Sequence, residues 1–467
     1  MTLHRVTRYS LALALLGLPV AAGAQAFGLN EIGSCAIARG FATTSAPCDD
    51  ASSIYWNPGA MQTKRGFSLY GGAAVIKLDG SFTQDTTHRE YEADAPTAVV
   101  PHLFLNYRGA GKLAYGLGVY VPYGLTSQWT DSFPGRFAAR KASLQTIYFQ
   151  PNLAYQINDK WSVGGGPIIA HSTVELIQGI DLSSQVATVV NGNPITFGQL
   201  GIAKHTEFAR ASLKGSAMAY GLTLGIHGNL TPTWQMGARF LSQVTFDYDD
   251  ADATFTPIPT GLTLAAGNPI TPGGVSLPVD QVVAQSFATG GPLTSQKVQT
   301  EIQHPAQVQV GFAYTGFERT TVSLDYAYVG WKSFKQLPVN FKGTAPSRVL
   351  IEEYNNTSGL RFGVEHKLVN GAALRAGLAG TTSAAPDQTV TPLLPEQDRG
   401  YGMLGGGLPI MGGLTLDAAY MHVFTNGRRG RIDERATGSS DAQAIALNNG
   451  FYSLSANIFS LSLKANF

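Results

Sequence analysis

The last stretch of the chain alternates without a break. Phe459, Leu461, Leu463, Ala465 and Phe467 fall on one face of an extended segment, with Ser460, Ser462, Lys464 and Asn466 on the other. Side chains of a strand point alternately to its two faces, so this period of two predicts a strand. The pattern recurs. Val308, Val310, Phe312 and Tyr314 alternate with Gln307, Gln309, Gly311 and Ala313. Val322, Leu324, Tyr326 and Tyr328 alternate with Thr321, Ser323, Asp325 and Ala327, and Leu360, Phe362 and Val364 with Arg361, Gly363 and Glu365. The polar face of a soluble sandwich is rich in Lys and Glu. Here it is mostly small and uncharged. Tyr328 and Trp331 stand near a strand end, which suits the aromatic girdle of an outer-membrane barrel.

Connections alternate in length. Short ones lie at 108–111, 158–160, 229–233, 316–319, 369–371 and 410–413. Long ones span about 81–96, 122–142, 173–215, 249–303, 333–357, 384–399 and 425–450. Six turns and seven loops join fourteen strands. An even number of strands, with turns at one end and loops at the other, predicts an all-β fold: a fourteen-stranded antiparallel transmembrane β-barrel over residues 65–467. No segment reads as a spanning helix. The longest apolar run, Gly402 to Leu414, is interrupted by glycines and Pro409, which oppose helix interiors. Strands that close on themselves are the other way to satisfy a backbone in lipid.

The N-terminus has the form of an export signal. Arg5 and Arg8 precede the apolar run Leu11 to Leu18, then Pro19 and Ala22-Gly23-Ala24. Cleavage after Ala24 starts the mature chain at Gln25; cleavage after Ala26 starts it at Phe27. Residues 25–64 are Gly-, Ala- and Ser-rich and too short for a domain. Their apolar side chains (Phe27, Ile32, Ile37, Phe41, Ile54 and Trp56) suggest an ordered plug inside the barrel, against the alternative of a loose periplasmic tail. Cys35 and Cys48 are the only cysteines; in an oxidising compartment an isolated pair points to a disulfide, with two buried free thiols as the alternative.

Composition narrows the function. Charged residues are 13% of the 467, and the net charge is +1, which gives no support for a nucleic-acid partner. Loop 173–215 carries Leu176, Ile177, Ile180 and Val186, and loop 249–303 carries Leu262 and Leu264. Apolar side chains in outward loops read as a capture surface for greasy molecules; the alternative is that the loops pack on one another. A carboxylate head would need a cation. Arg136, Lys204, Arg210 and Arg399 are candidates, but Arg399 beside Asp398 reads as structural, and none is assigned. The sequence contains no HExxH and no Gly-x-Ser-x-Gly. His102, His304 and His422 read as lumen or girdle residues, so no enzyme, metal or cofactor is expected.

Four pieces, in order, resemble the FadL family of outer-membrane transporters for long-chain fatty acids and other hydrophobic compounds. They are Ala26 to Glu31 with Asn57-Pro58-Gly59-Ala60, then Pro122 to Leu125 through Trp129, Gly135 to Phe137 and Pro151 to Tyr155, then Leu324-Asp325-Tyr326 with Trp331 and Phe334, and finally Asp387 to Pro392 with Pro395 to Arg399. The resemblance implies an N-terminal hatch gated around Phe27, Asn57, Pro58, Gly59 and Ala60. It also implies a kinked third strand near Leu113 to Val121, with Gly116, Gly118 and Pro122 at a lateral opening. Cargo would pass from the outer loops to a lumen pocket and leave sideways into the bilayer. Gly59 departs from the family's Asn-Pro-Ala motif, and the family does not require the cysteine pair. The expected function is passive transport of hydrophobic molecules, fatty acids first. The alternatives are aromatic hydrocarbon uptake, a polar-solute porin, and a barrel enzyme or adhesin. Expected partners are the cargo, outer-membrane lipid and lipopolysaccharide, and the barrel-assembly machinery through the strand ending at Phe467. The protein would work as a monomer in a Gram-negative outer membrane.

Overall fold

A computed structural model of the chain describes residues 26–63, 65–271, 273–430 and 449–467. The leader, Met1 to Ala24, lies outside the described residues. Fourteen antiparallel strands follow in chain order. They are β1 (Gly66–Gln84), β2 (Ala98–Arg108), β3 (Leu113–Gln128), β4 (Lys141–Gln156), β5 (Trp161–Asp181) and β6 (Glu207–Asn229). β7 runs as Trp234–Leu241 and Val244–Pro257, and β8 as Gln296–His304 and Gln307–Phe317. β9 (Thr320–Val329), β10 (Thr357–Lys367), β11 (Ala373–Thr381), β12 (Arg399–Pro409), β13 (Leu414–Thr425) and β14 (Gly450–Asn466) complete the set. β14 pairs with β13 on one edge and with β1 on the other, from Ser68↔Asn466 to Gln84↔Gly450, so the sheet closes and has no free outer edge. No described helix is long and apolar enough to cross a membrane.

The two faces sort as a membrane barrel requires. Phe459, Leu461 and Leu463 are exposed outward, whereas Ser460, Ser462 and Lys464 are buried. Phe312, Leu324 and Tyr326 also face out, with Gln309, Ser323 and Asp325 inside. This inverts a soluble protein: the apolar face meets lipid and the polar face is interior.

That interior is filled. Apart from Leu29, Pro47 and Asp49, every residue from Ala26 to Gln62 is buried. The segment holds two short helices, α1 (Ser34–Ala38) and α2 (Ser53–Trp56), and a 3-10 turn at Pro58–Thr63. The small residues on the inner faces of the strands make room for it.

The strands reach further out than the alternation predicted. All six short turns of the pattern stand, but the long loops shrink to 182–206 and 258–295 because β5, β6, β7 and β8 extend past the apolar band. The two loops share a core of their own around Leu182, Phe197, Phe208, Leu264 and Val283, which includes helix α3 (Val279–Phe287).

Candidate functional site

The plug is held by directed polar contacts to many strands. The Ser34 hydroxyl lies 2.8 Å from that of Ser460 and 2.7 Å from that of Ser462. Arg39 Nη2 donates to Ser323 Oγ at 2.8 Å, and the Thr44 N–H to Asp325 Oδ2 at 2.8 Å. Asn57 Nδ2 donates to the carbonyls of Thr44 (2.7 Å) and Ile226 (2.9 Å), while its Oδ1 accepts the Gly59 N–H at 3.0 Å. One side chain thus ties together two parts of the plug and strand β6. Pro58, Gly59 and Ala60 are buried against β5 and β6. A Cβ on Gly59 would lie 2.9 Å from the Gly225 carbonyl oxygen, and one on Gly164 would lie 2.3 Å from the Pro58 oxygen. Backbone meets backbone here, and only glycine on both sides permits it. Cys35 and Cys48 form a disulfide with Cα atoms 6.2 Å apart, which joins α1 to the segment ahead of α2. Their sulfurs are bonded to each other, so the neighbouring Asp50 completes no thiolate metal site.

Phe27 sits in an aromatic box. Its ring centroid is 4.7 Å from that of Trp331, 5.5 Å from Phe334, 5.7 Å from His304 and 6.1 Å from Tyr123. The flanking backbone does something further. The Leu29 N–H donates to the Pro122 carbonyl at 2.8 Å, and the Gly124 N–H to the Phe27 carbonyl at 2.9 Å. The leading segment therefore pairs with β3 where β2 should.

β2 leaves that edge because its ladder to β3 stops. Pairing runs from Arg108↔Ala114 to His102↔Tyr120 and ends. It resumes only at the Asp94 N–H bond to the Gln128 carbonyl (2.8 Å) and the bridge Ala93↔Trp129. Three prolines, Pro96, Pro101 and Pro122, stand in or beside the interval and contribute no N–H. Unpaired backbone inside a membrane is tolerated where it lines a cavity, and a cavity of about 360 Å³ fills this breach. Ala98, Val99 and Val100 line it from β2, Val121 and Leu125 from β3, and Leu29 from the plug. The β6–β7 ladder also skips between Lys214 and Thr223, but the Val244 and Ala251 side chains close against Gly221 and Gly215.

The breach corrects the expected position. Gly116 and Gly118 lie below it, in wall that pairs fully with Asn106 and Phe104. They make room for plug side chains: a Cβ on Gly116 would lie 2.5 Å from the Met61 methyl, and one on Gly118 would lie 3.1 Å from Ile54 Cγ2. Pro122 does stand at the breach. Missing side chains admit a neighbour, whereas missing N–H groups end a ladder.

The loop residues divide. Leu176 and Ile177 are half-buried on β5 and line a small cleft of about 40 Å³ with Phe255, Val339 and Leu350. Ile180 and Leu264 instead pack into the shared loop core, so for them the packing alternative holds. Val186 and Leu262 are exposed.

Among the described residues the histidines form no triad. His102 Nε2 lies 2.9 Å from Ser462 Oγ, but its Nδ1 is buried without a hydrogen-bond partner among the described residues. No acid orients it, as acyl-transfer chemistry would need. His304 is buried beside Phe27, and His422 meets Asn457 Oδ1 at 2.9 Å.

Comparison with known proteins identifies the architecture. The profile of the outer membrane protein transport protein family (OMPP1/FadL/TodX) matches residues 16–467. The chain belongs to this family. The FadL-type chain is 25% identical over 458 residues to the 47 kDa outer membrane protein of Pasteurella multocida, covering 95% of this chain and 98% of that one. It is 24% identical over 423 residues to the long-chain fatty acid transport protein of Escherichia coli K12, covering 84% and 86%. Among solved structures it is similar to a Pseudomonas aeruginosa FadL homologue (TM-score 0.78, 19% identity, 95% and 100% covered). It is also similar to the Pseudomonas putida toluene transporter TodX (TM-score 0.66, 17% identity, 95% and 100% covered). FadL/TodX proteins are outer-membrane transporters of hydrophobic compounds and not enzymes, and this chain is one of them.

Two features of this FadL-type chain escaped sequence reasoning. Glu396 is fully buried and accepts three backbone N–H groups, those of Ala26, Ala384 (2.9 Å) and Ala385 (2.6 Å). Burial pushes its carboxyl above the usual range even so. Arg399 does not pair with Asp398. Asp398 accepts the Ser383 N–H at 3.0 Å, while Arg399 lines the wall cavity. Adjacent residues at a strand start point opposite ways. Arg136 is paired with Glu207 at 2.9 Å, and Arg210 with Asp131 at 3.1 Å.

Proposed function

We propose that the protein passively carries hydrophobic small molecules, long-chain fatty acids first, and releases them sideways through the break between β2 and β3. The observation that carries this reading is the coincidence of an apolar cavity, a broken ladder and the leading segment at one place. A greasy molecule gains free energy by leaving water, at roughly 0.8 kcal/mol per buried methylene, so it needs successive apolar pockets and not a wet pore. The cleft at Leu176 and Ile177 serves as an outer stop. Phe27 and the strand-like segment Gly28–Leu29 then act as the movable cover, while Asn57, Pro58, Gly59 and Ala60 keep the rest of the hatch seated. Residues 25–64 are the hatch, and 65–467 the barrel. The protein works as a monomer, inserted by the assembly machinery through the strand that ends at Phe467.

Aromatic hydrocarbon uptake by the same route is the second reading, favoured by the box that holds the Phe27 ring. A polar-solute porin fits poorly with a lumen packed from Ala26 to Gln62.

The test fills the breach. Ala98→Trp and Ser127→Trp place bulk on its two sides. Uptake of labelled oleate by cells is expected to fall about tenfold or more, while heat-modifiable gel mobility shows a folded barrel. Undiminished uptake in a folded double variant would count against the route.

A further inference from the structure

The seam between β6 and β7 is more than a frayed end. Residues 215–221 of β6 and 243–251 of β7 share no ladder. Pairing stops at the Ser242 N–H bond to the Leu222 carbonyl (2.9 Å) and restarts at Lys214↔Asp252. Both strands are nevertheless held on their far sides. β6 pairs with β5 throughout, from Gly221↔Ile168 to Gly215↔Val174, and β7 pairs with β8 from Val244↔His304 to Tyr248↔Thr300. Two strands fixed on their outer edges and free toward each other form the jambs of an opening.

Side chains close it. A Cβ on Gly221 would lie 2.7 Å from Val244 Cγ2 and 2.9 Å from Ser242 Oγ, and one on Gly215 would lie 2.7 Å from the Ala251 Cβ. Parting these contacts breaks no ladder hydrogen bond, whereas parting a paired seam breaks several.

The two sides of the seam differ in chemistry. Inside, Phe246 is buried with its ring centroid 4.7 Å from that of His304, which is 5.7 Å from Phe27. The seam therefore backs onto the aromatic box. Outside, Met218 and Tyr220 are 53% and 73% exposed on the β6 lip. The β7 lip carries exposed Asp247 and Asp249, with Glu301 of β8 directly opposite Asp247. Asp250 and Asp252 pair with Lys342 and Lys297. Among the described residues, no cation stands at ion-pair distance from Asp247, Asp249 or Glu301.

We propose that the β6–β7 seam is a second lateral door, held shut by Val244, that passes uncharged hydrophobic molecules between the aromatic box and the membrane. An apolar lip receives a greasy surface, and an acidic lip repels a carboxylate. The two breaks in the wall then divide the cargo: acids leave between β2 and β3, and neutral molecules use either door. The inference rests on the reading that hydrophobic cargo reaches the lumen.

The experiment locks and unlocks the seam in cells that make the full-length protein, and compares uptake of labelled hexadecanol with that of labelled oleate. Gly221→Cys with Val244→Cys bridges the jambs with a disulfide, confirmed by mass spectrometry; each single variant serves as the unbridged control. The bridge should lower the hexadecanol-to-oleate uptake ratio by about fivefold, the factor that two like charges about 4 Å apart impose in water. Val244→Gly, which removes the seal, should raise hexadecanol uptake and leave oleate unchanged. Asp247→Asn with Asp249→Asn should restore oleate uptake to the Ala98→Trp, Ser127→Trp protein. Hexadecanol uptake unaffected by both the bridge and Val244→Gly, or a bridge that lowers both cargoes equally, would overturn the inference and leave the β2–β3 route standing. An unaltered protein that raises uptake of neither cargo above cells without it would overturn the transport reading instead.

Discussion

The carboxylate of Glu396 accepts the backbone N–H of Ala26, a residue 370 positions earlier in the chain. This contact joins the outer loop 382–398 to the segment that covers the freed edge of β3. The same carboxylate holds Ala384 and Ala385, so it fixes the loop and the cover together. Glu396→Gln replaces one acceptor oxygen with a donor that faces other N–H groups. Losing such a bond inside a buried site costs about 1–3 kcal/mol. Amide exchange of the peptide over residues 26–29 should quicken by about tenfold, with the β-strands unchanged. Unaltered exchange in that peptide would show that the contact does not hold the cover.

Glu352 gives the roof a pH dependence. It is buried in the loop after the short hairpin at 336–351, beside Tyr354 and facing Glu396, and its backbone carbonyl accepts the Thr389 hydroxyl at 2.8 Å. Burial, and secondarily the Glu396 charge, push its carboxyl from 4.5 up to about 8. A buried acid with a raised pKa is fully stabilising below its ordinary value, where both states are protonated. The stabilisation is lost as pH rises through the folded value. The loop should therefore loosen between pH 5 and pH 8.5. Exchange at Ala384 and Ala385, corrected for intrinsic rates, should rise across that window, and Glu352→Gln should flatten it. A flat profile in the unaltered protein would refute the assignment.

Hatch seating depends on glycine notches in the wall. A Cβ on Gly164 would meet the Pro58 carbonyl at 2.3 Å, and one on Gly237 would meet the Thr44 carbonyl at 2.1 Å. Backbone cannot yield as a flexible side chain can. Gly164→Val should unseat the Asn57–Ala60 turn and open a leak. The unaltered protein should be nearly silent in planar bilayers, and the variant should show steady ion conductance. A conducting unaltered protein would instead favour the porin alternative.

Most of the barrel could be read in the chain, because a strand writes its two faces as alternate letters. Leu461 and Ser462 announce lipid and lumen directly. Turn spacing then gave fourteen strands. What alternation lacks is an end point: β5 and β6 continue past the apolar band, so Ile180 proved to be part of a loop core and not a free surface. The site was legible only in part. Phe27 and Asn57 stood out as an aromatic and a turn residue in a short plug. The resemblance places Gly116 and Gly118 at a lateral opening, although a strand glycine also marks a close neighbour, here Met61 and Ile54. Pro96, Pro101 and Pro122 were the better signal for a broken ladder. Arg399 looked paired with Asp398 because neighbours in sequence seem close, yet in a strand they diverge. Glu396 left no local trace, since its partner is 370 residues away.

The account depends most on where cargo leaves. A fatty acid bearing a diazirine near the end of its tail, photolysed on the protein in lipid nanodiscs, records that place by mass spectrometry. Labels are expected on the β2 and β3 segments 98–100 and 121–128, with fewer after Ala98→Trp and Ser127→Trp. Labels confined to the periplasmic side of the hatch, around Met61 and the turns between strands, would mean that cargo passes along the barrel axis and would contradict the account.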